Sequence, residues 1–323
     1  MKKNFLTLII LLMLAISLTI PNTILAETNG TIDLDLNGSN VVSFKDSEEY
    51  FGNNTDYDSC ISEYDVYVGV KNNKENNNYL SAFGLSDQTI NAITDGEVEK
   101  QLLSIKKLSD DELFKRGYDN NDIVLLREYN GEPLEEAPYL RGVLGVIYTN
   151  MTVPTKTNDV MYVKLKWWWD TLPVIQLTDT IGATWWGNSG ADLQLLTTYD
   201  AYPTKCTIYY DNGQVSYPNA YDIDKNHIIY NIPMTIATSG TRPVAYQGVL
   251  DVSVGTKGAH SITYYHYKAS YAHKEYTIGG SVGLSATGTP SVGFTLKSGF
   301  NEVVHRHVSI TPGGNVNREP DDV

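Results

Sequence analysis

Met161-Tyr162-Val163-Lys164-Leu165-Lys166-Trp167-Trp168-Trp169 alternates without a break. Met161, Val163, Leu165, Trp167 and Trp169 fall on one face of an extended chain, and Tyr162, Lys164, Lys166 and Trp168 fall on the other. A helix would scatter these residues around its axis, so the stretch predicts a strand with one buried side. The same period of two recurs beyond it, with Val244, Tyr246, Gly248, Leu250, Val252 and Val254 set against Ala245, Gln247, Asp251 and Ser253. Asp211-Asn212-Gly213 reads as a three-residue hairpin loop between strands at 204–210 and 214–217. Further strands fit 180–186, 193–199, 227–232, 261–268, 276–286, 291–297 and 303–310. Around ten strands with turns between them and almost no helix predict an antiparallel sandwich or barrel.

Ahead of this β domain the pattern is different. Thr31 to Leu36 alternates and meets Asn37-Gly38, a hairpin signal, and 65–70 reads as a short strand before the Asn-rich loop at 72–78. Between residues 86 and 131 helical signals take over: Ser109-Asp110-Asp111-Glu112 is a capping box, Gly117 closes a turn, and a second helix restarts near Asp119 and stops at Asn130-Gly131. The expected organisation is a signal peptide over 1–26, an acidic region over 27–85, a helical module over 86–131, a linker over 132–139, an antiparallel β domain over 140–312 and a flexible tail over 313–323. The fold class is mainly β, α+β overall, with the small helical module in front.

Lys2 and Lys3, the apolar run 5–20 and Leu25-Ala26 before the polar Glu27 have the layout of a secretory signal peptide cleaved after Ala26. The expected product is secreted and extracellular, with no hydrophobic anchor in the tail ending Asp321-Asp322-Val323. The net charge of −14 is unevenly placed: residues 27–140 carry 24 acidic and 9 basic groups, residues 141–323 carry 14 and 13. An acidic surface without a Lys/Arg cluster repels phosphate backbones, so nucleic acid is not expected as a partner. Cys60 and Cys206 are the only cysteines; they form one disulfide or remain two separate thiols, and their number leaves both open.

The chain holds 23 Tyr and 5 Trp. Consecutive tryptophans on a strand face opposite sides, so burying Trp167 and Trp169 turns Trp168 outward, and one of Trp185 and Trp186 likewise. Trp168, Trp185, Trp186, Tyr264, Tyr265, Tyr267 and Tyr271 are therefore the expected contacts of a non-enzymatic surface or partner binder, for a cell-surface glycan, a lipid or a protein. Residues 276–298 carry a second expectation. Ile278, Val282 and Leu284 alternate with small polar residues, Thr287-Gly288-Thr289-Pro290 turns the chain, and Val292, Phe294 and Leu296 alternate again. Apolar toward lipid and polar toward a lumen is what a membrane-inserting hairpin needs. Secreted pore-forming toxins are similar in using hairpins of this type.

A hydrolase is the third alternative, and no catalytic residue is expected. Gly187-Asn188-Ser189-Gly190 resembles the serine loop of chymotrypsin-like bacterial proteases, but all six histidines, His227 to His307, follow Ser189, whereas that chain order needs the base first. The strand-helix alternation of the hydrolase fold whose histidine comes last is missing, which removes that order as well. Asp170, Asp179 and Asp192 are the carboxylates nearest the tryptophans in sequence and the first to test for a glycosidase pair, although turn and strand-edge roles explain them. Asp33-x-Asp35-x-Asn37-Gly38 matches half a calcium loop, but Phe44 stands where the bidentate glutamate belongs. His305 and His307 share one face of a strand without a third ligand named, and H-E-x-x-H and C-x-x-C are absent, so neither a metal nor a cofactor is expected.

Overall fold

The computed structural model describes residues 44, 50–52, 56–76, 87–156, 160–189, 194–196, 199–224, 226–237, 242–256, 264–274, 284–286, 294–296, 300–310 and 316–319. Within them β1 (Ser59–Ser62) leads into five helices: α1 (Glu63–Asn72), α2 (Asp87–Thr94), α3 (Glu97–Ile105), α4 (Asp110–Lys115) and α5 (Asn120–Glu128). Two 3-10 turns, Leu134–Glu136 and Pro138–Gly142, follow. The strands then run β2 (Val146–Lys156), β3 (Val160–Trp169), β4 (Thr178–Ser189), β5 (Gln194–Leu196), β6 (Tyr199–Tyr210), β7 (Val215–Ser216) and β8 (Asp222–Asp224). The last are β9 (His227–Pro233), β10 (Ala245–Thr256), β11 (Tyr264–Lys274), β12 (Leu284–Ala286), β13 (Phe294–Leu296), β14 (Phe300–Ile310) and β15 (Val316–Glu319).

Two antiparallel sheets face each other as a sandwich. One has the order β1-β2-β3-β10-β6-β7, the other β15-β14-β11-β4-β9-β8 with β5 also paired to β4. The alternation at Met161 decides which side of the first sheet is dry: Met161, Val163, Leu165, Trp167 and Trp169 enter the shared core with Leu250, Val252 and Ile208. The second sheet contributes Ile181, Ala183, Trp185, Tyr267, Ala269, Tyr271 and Tyr230. Gly248 stands opposite Trp167 in register, and a Cβ there would lie 2.6 Å from the indole nitrogen and from the Thr207 carbonyl. Glycine is what lets the indole lie across the neighbouring strand.

A second core belongs to the helices. Tyr64, Tyr67 and Val70 of α1 pack with Val98, Leu102, Leu113, Leu126, Leu134 and Leu140. The predicted strand at 65–70 is thus a helix: Val66, Val68 and Val70 alternate, but Tyr64, Tyr67 and Val70 recur every three residues and have a helical core to enter. Glu63 and Asp65 sit in its first turn, where the helix dipole favours acids. Both caps are formed: the Ser109 hydroxyl accepts from the Glu112 amide, and the Asp119 carboxylate accepts from the Asp122 amide. The stretch 132–139 is not a free linker, because Leu134 and Ala137 are fully buried in the helical core and the Tyr64 hydroxyl donates to the Leu134 carbonyl at 3.0 Å. Nor is 313–323 all tail: β15 pairs with β14 from Val316–Ile310 to Glu319–His307. The signal-peptide segment 1–26 and the hairpin at 31–42 lie outside the described residues. No helix among the described residues is long and apolar enough to cross a membrane.

Candidate functional site

All five indoles are buried, and this corrects the expected aromatic contacts. Trp168 does turn away from the shared core, but the segment before β1 covers it. Phe51 meets it edge-on at 6.4 Å between ring centroids, and Tyr148 stacks on it at 5.6 Å and 12°. The Phe51 amide is anchored on the Gln247 side-chain oxygen at 2.8 Å, which fixes that cover in place. Trp185 faces inward, whereas Trp186 stacks flat on His266 at 5.0 Å and 4°. Tyr267 and Tyr271 share the inward parity of Trp185 and Ile181, their register partners, and are fully buried. Tyr264 and Tyr265 begin β11, and their side chains lie outside what is described. Cys60 and Cys206 are both free. Cys60 is exposed on β1 and Cys206 is buried on β6, four strands away in the same sheet, so about 19 Å at the usual strand spacing separates them, far beyond disulfide reach.

Asp179, expected at a turn or strand edge, is instead completely buried at the start of β4. Its carboxylate accepts from the Tyr271 hydroxyl at 2.5 Å and the Lys274 amide at 3.0 Å, and lies 2.9 Å from the His273 Nδ1. On the far side of that imidazole, Nε2 is 4.0 Å from Glu63 Oε1. Glu63 in turn accepts from the amides of Val174 and Gly145 and from the Tyr67 hydroxyl. The network ties the helical core to the last residues of β11. Burial, then the Asp179 charge, holds the Tyr271 phenol well above its ordinary range, and desolvation lowers the Lys274 ammonium while Asp179 opposes it. The cleft between α3 and the β3–β4 connection is not lined by these groups. The arrangement locks an interface between the helical core and the end of β11. Asp170 is a turn residue, accepting from the Val146 and Thr171 amides at 2.7 and 2.6 Å. Asp192 lies outside the described residues.

Gly187, Asn188 and Ser189 belong to β4, paired with Leu196, Leu195 and Gln194 of β5, so the serine-loop string is a strand and not a turn. His305 and His307 lie opposite Ser270 and Lys268 in the β11–β14 register. Among the described residues no three His, Cys, Asp or Glu are grouped to hold a metal ion.

The segment with the membrane pattern occupies a distinctive place. Among the described residues β12 and β13 pair only with each other: Leu284 opposite Leu296, Ser285 opposite Thr295, Ala286 opposite Phe294. Successive rungs therefore join apolar to apolar and hydroxyl to hydroxyl. Ile278, Val282 and Val292 lie outside the described residues. The ribbon falls within the connection from β11 to β14, although those strands are direct neighbours with Lys274 opposite Phe300, where a tight turn would have sufficed. β12 comes within 8 Å, Cα to Cα, of β4 and β9, and β13 of β14. Since β4 has β9 and β11 on its edges and the core on its inner face, the ribbon approaches its outer face. Packed sheets ordinarily stand about 10 Å apart, and closer approach needs small side chains. That outer face carries Thr180, Gly182, Thr184, Ser270 and Ala272 together with Ile229 and Lys268, all buried.

Exposed aromatics do exist, away from the tryptophans. Along Val215-Ser216-Tyr217-Pro218-Asn219-Ala220-Tyr221-Asp222-Ile223 the odd-numbered residues are all exposed, Tyr217 at 50% and Tyr221 and Ile223 at 57% each, while Ala220 packs on the core. The segment joins the edge of one sheet to the edge of the other, and the Lys205 ammonium stands 6.0 Å from the Tyr217 ring centre. The signal was legible: apolar residues at alternate positions inside a run of Pro, Asn and Asp have no sheet face to enter.

No protein-family model matches the chain, and no curated protein matches it. A solved structure described as AvmM, which catalyses macrocyclization in alchivemycin A biosynthesis, aligns with 55% of this chain and 92% of its own at 11% identity and a TM-score of 0.26.

Proposed function

We propose that this is an exported, non-enzymatic β-sandwich protein that acts on lipid membranes through the β12–β13 ribbon. One observation carries the reading: a ribbon paired, among the described residues, only with itself, with apolar and hydroxyl rungs in alternation, set between neighbouring strands that do not need it. The β4 part of the face it approaches, Thr180, Gly182 and Thr184, is a weakly adhesive seat, because small side chains bury little apolar area, and among the described residues Ile229 of β9 is the one large aliphatic beside it. The ribbon can leave it at low cost, and in a bilayer two strands of eight to eleven residues span the hydrocarbon once they pair into a closed barrel with further copies. The alternation at 276–286 runs for eleven residues, and 291–298 supplies eight on the return strand. Release of trapped dye from liposomes tests the reading. The protein releases dye and a Val282→Asp, Leu284→Asp variant does not; absence of release over zwitterionic, anionic and sterol-containing vesicles removes it.

A second reading, binding of a surface or protein partner through exposed aromatics, is favoured by Tyr217, Tyr221 and Ile223. Tyrosine supplies rigid, amphipathic contact area at small entropic cost. Retention on intact cells that falls with Tyr217→Ala and Tyr221→Ala, but not with the ribbon variant, separates this reading from the first.

A further inference from the structure

A cleft of about 440 Å³ opens where the helices meet the sandwich. Its walls come from three places: Ile105 of α3, Ile175 and Leu177 in the β3–β4 connection, and Thr235 and Arg242 between β9 and β10. Arg116, at the end of α4, also lines it. Four arginines have described side chains, and two of them are ion-paired: Arg127 to Asp110 at 2.8 Å and Arg141 to Asp65 at 2.9 Å. Arg116 and Arg242 have no carboxylate within ion-pair distance among the described residues. The one acidic residue in the lining, Glu97, is engaged by Lys100 on its own helix. In a chain with 38 acidic against 24 basic residues, a hollow lined by two guanidiniums without a direct ion pair is set against the surrounding field, although Arg116 also acts at longer range on the Asp211 carboxylate.

We infer that this cleft binds an amphipathic carboxylate, its head on Arg116 and Arg242 and its hydrocarbon or aryl body on Ile105, Ile175 and Leu177. The guanidinium fork suits the two oxygens of a carboxylate, and the cleft lies in the range of sites that take small ligands, about 300–1,000 Å³. A bound molecule would touch both the helical core and the sandwich, so it would raise the unfolding temperature of the whole chain.

Calorimetric titration and thermal unfolding with sodium decanoate test the inference, with 1-decanol as the uncharged probe and decyl phosphate as the other anionic head. Decanoate binding is expected to weaken about tenfold or more in Arg116→Gln and in Arg242→Gln, as loss of a charged hydrogen bond implies, and to be unchanged in Arg127→Gln. The unfolding temperature should rise with decanoate in the natural protein and not in the double variant. Tighter binding of decyl phosphate than of decanoate would overturn the carboxylate assignment. Equal binding of decanol, no binding at millimolar decanoate, or equal loss in Arg127→Gln would overturn the site.

Discussion

Asp179 gathers three buried partners on one carboxylate. Replacing it with alanine leaves the Tyr271 hydroxyl, the His273 ring and the Lys274 amide without their shared acceptor, and should cost about 3–5 kcal/mol by urea denaturation. A loss under about 1 kcal/mol would mean the network is not closed. The tyrosines carry a pH signature. Burial pushes the phenols of Tyr118, Tyr210 and Tyr267 above their ordinary range and that of Tyr230 up to about 12. A pKa raised in the fold contributes stability that is complete below the unfolded value, near pH 10, and is lost as pH rises through the folded value. Alkaline titration should therefore show buried phenols ionising only together with loss of near-ultraviolet dichroism; all 23 tyrosines titrating near pH 10 with the fold intact would contradict this. Gly248→Ala should cost about 1–3 kcal/mol, since its Cβ would sit against the Trp167 ring and the Thr207 carbonyl. At this scale the sequence told which way Trp168 points, but not that Phe51, more than a hundred residues earlier, covers it. Alternation sets a face, and only tertiary contact sets exposure.

Among the elements, those with local chemistry were legible and those decided by distant packing were not. Ser109 and Glu112 announce α4 through groups three residues apart, and Ser109→Ala should lower stability by about 1 kcal/mol in urea, with loss of the cap bonds as the sole cause. α1 was read as a strand because three valines alternate, and the helical core that recruits Tyr64 and Tyr67 is built largely from residues that come later in the chain. β2 went unread before Lys156, and the Asp211-Asn212-Gly213 turn was read where it stands, with Gly213 at φ +82°. The β12–β13 pairing fits the 276–298 alternation, whereas its place against the outer face of β4 is a product of topology that no local pattern records.

For the whole molecule, the sequence predicts an antiparallel sandwich or barrel behind a helical module, and two sheets with one shared core and a separate helical core are what the chain forms. Its partition was harder to read, because the acidic stretch 132–139 looks like a solvated linker while Leu134, Ala137 and the Tyr64 hydroxyl make it a seam. The function proposed for the molecule requires the ribbon to exchange a protein seat for lipid while both cores stay folded. The direct measurement places a polarity-sensitive dye on single cysteines at 284 and 285, in a protein whose exposed Cys60 is replaced by serine, and compares emission with and without liposomes. The account predicts a blue shift on membranes for the label at 284 and none for its neighbour at 285. Equal shifts at both positions, or none at either while the protein is membrane-bound, would contradict it.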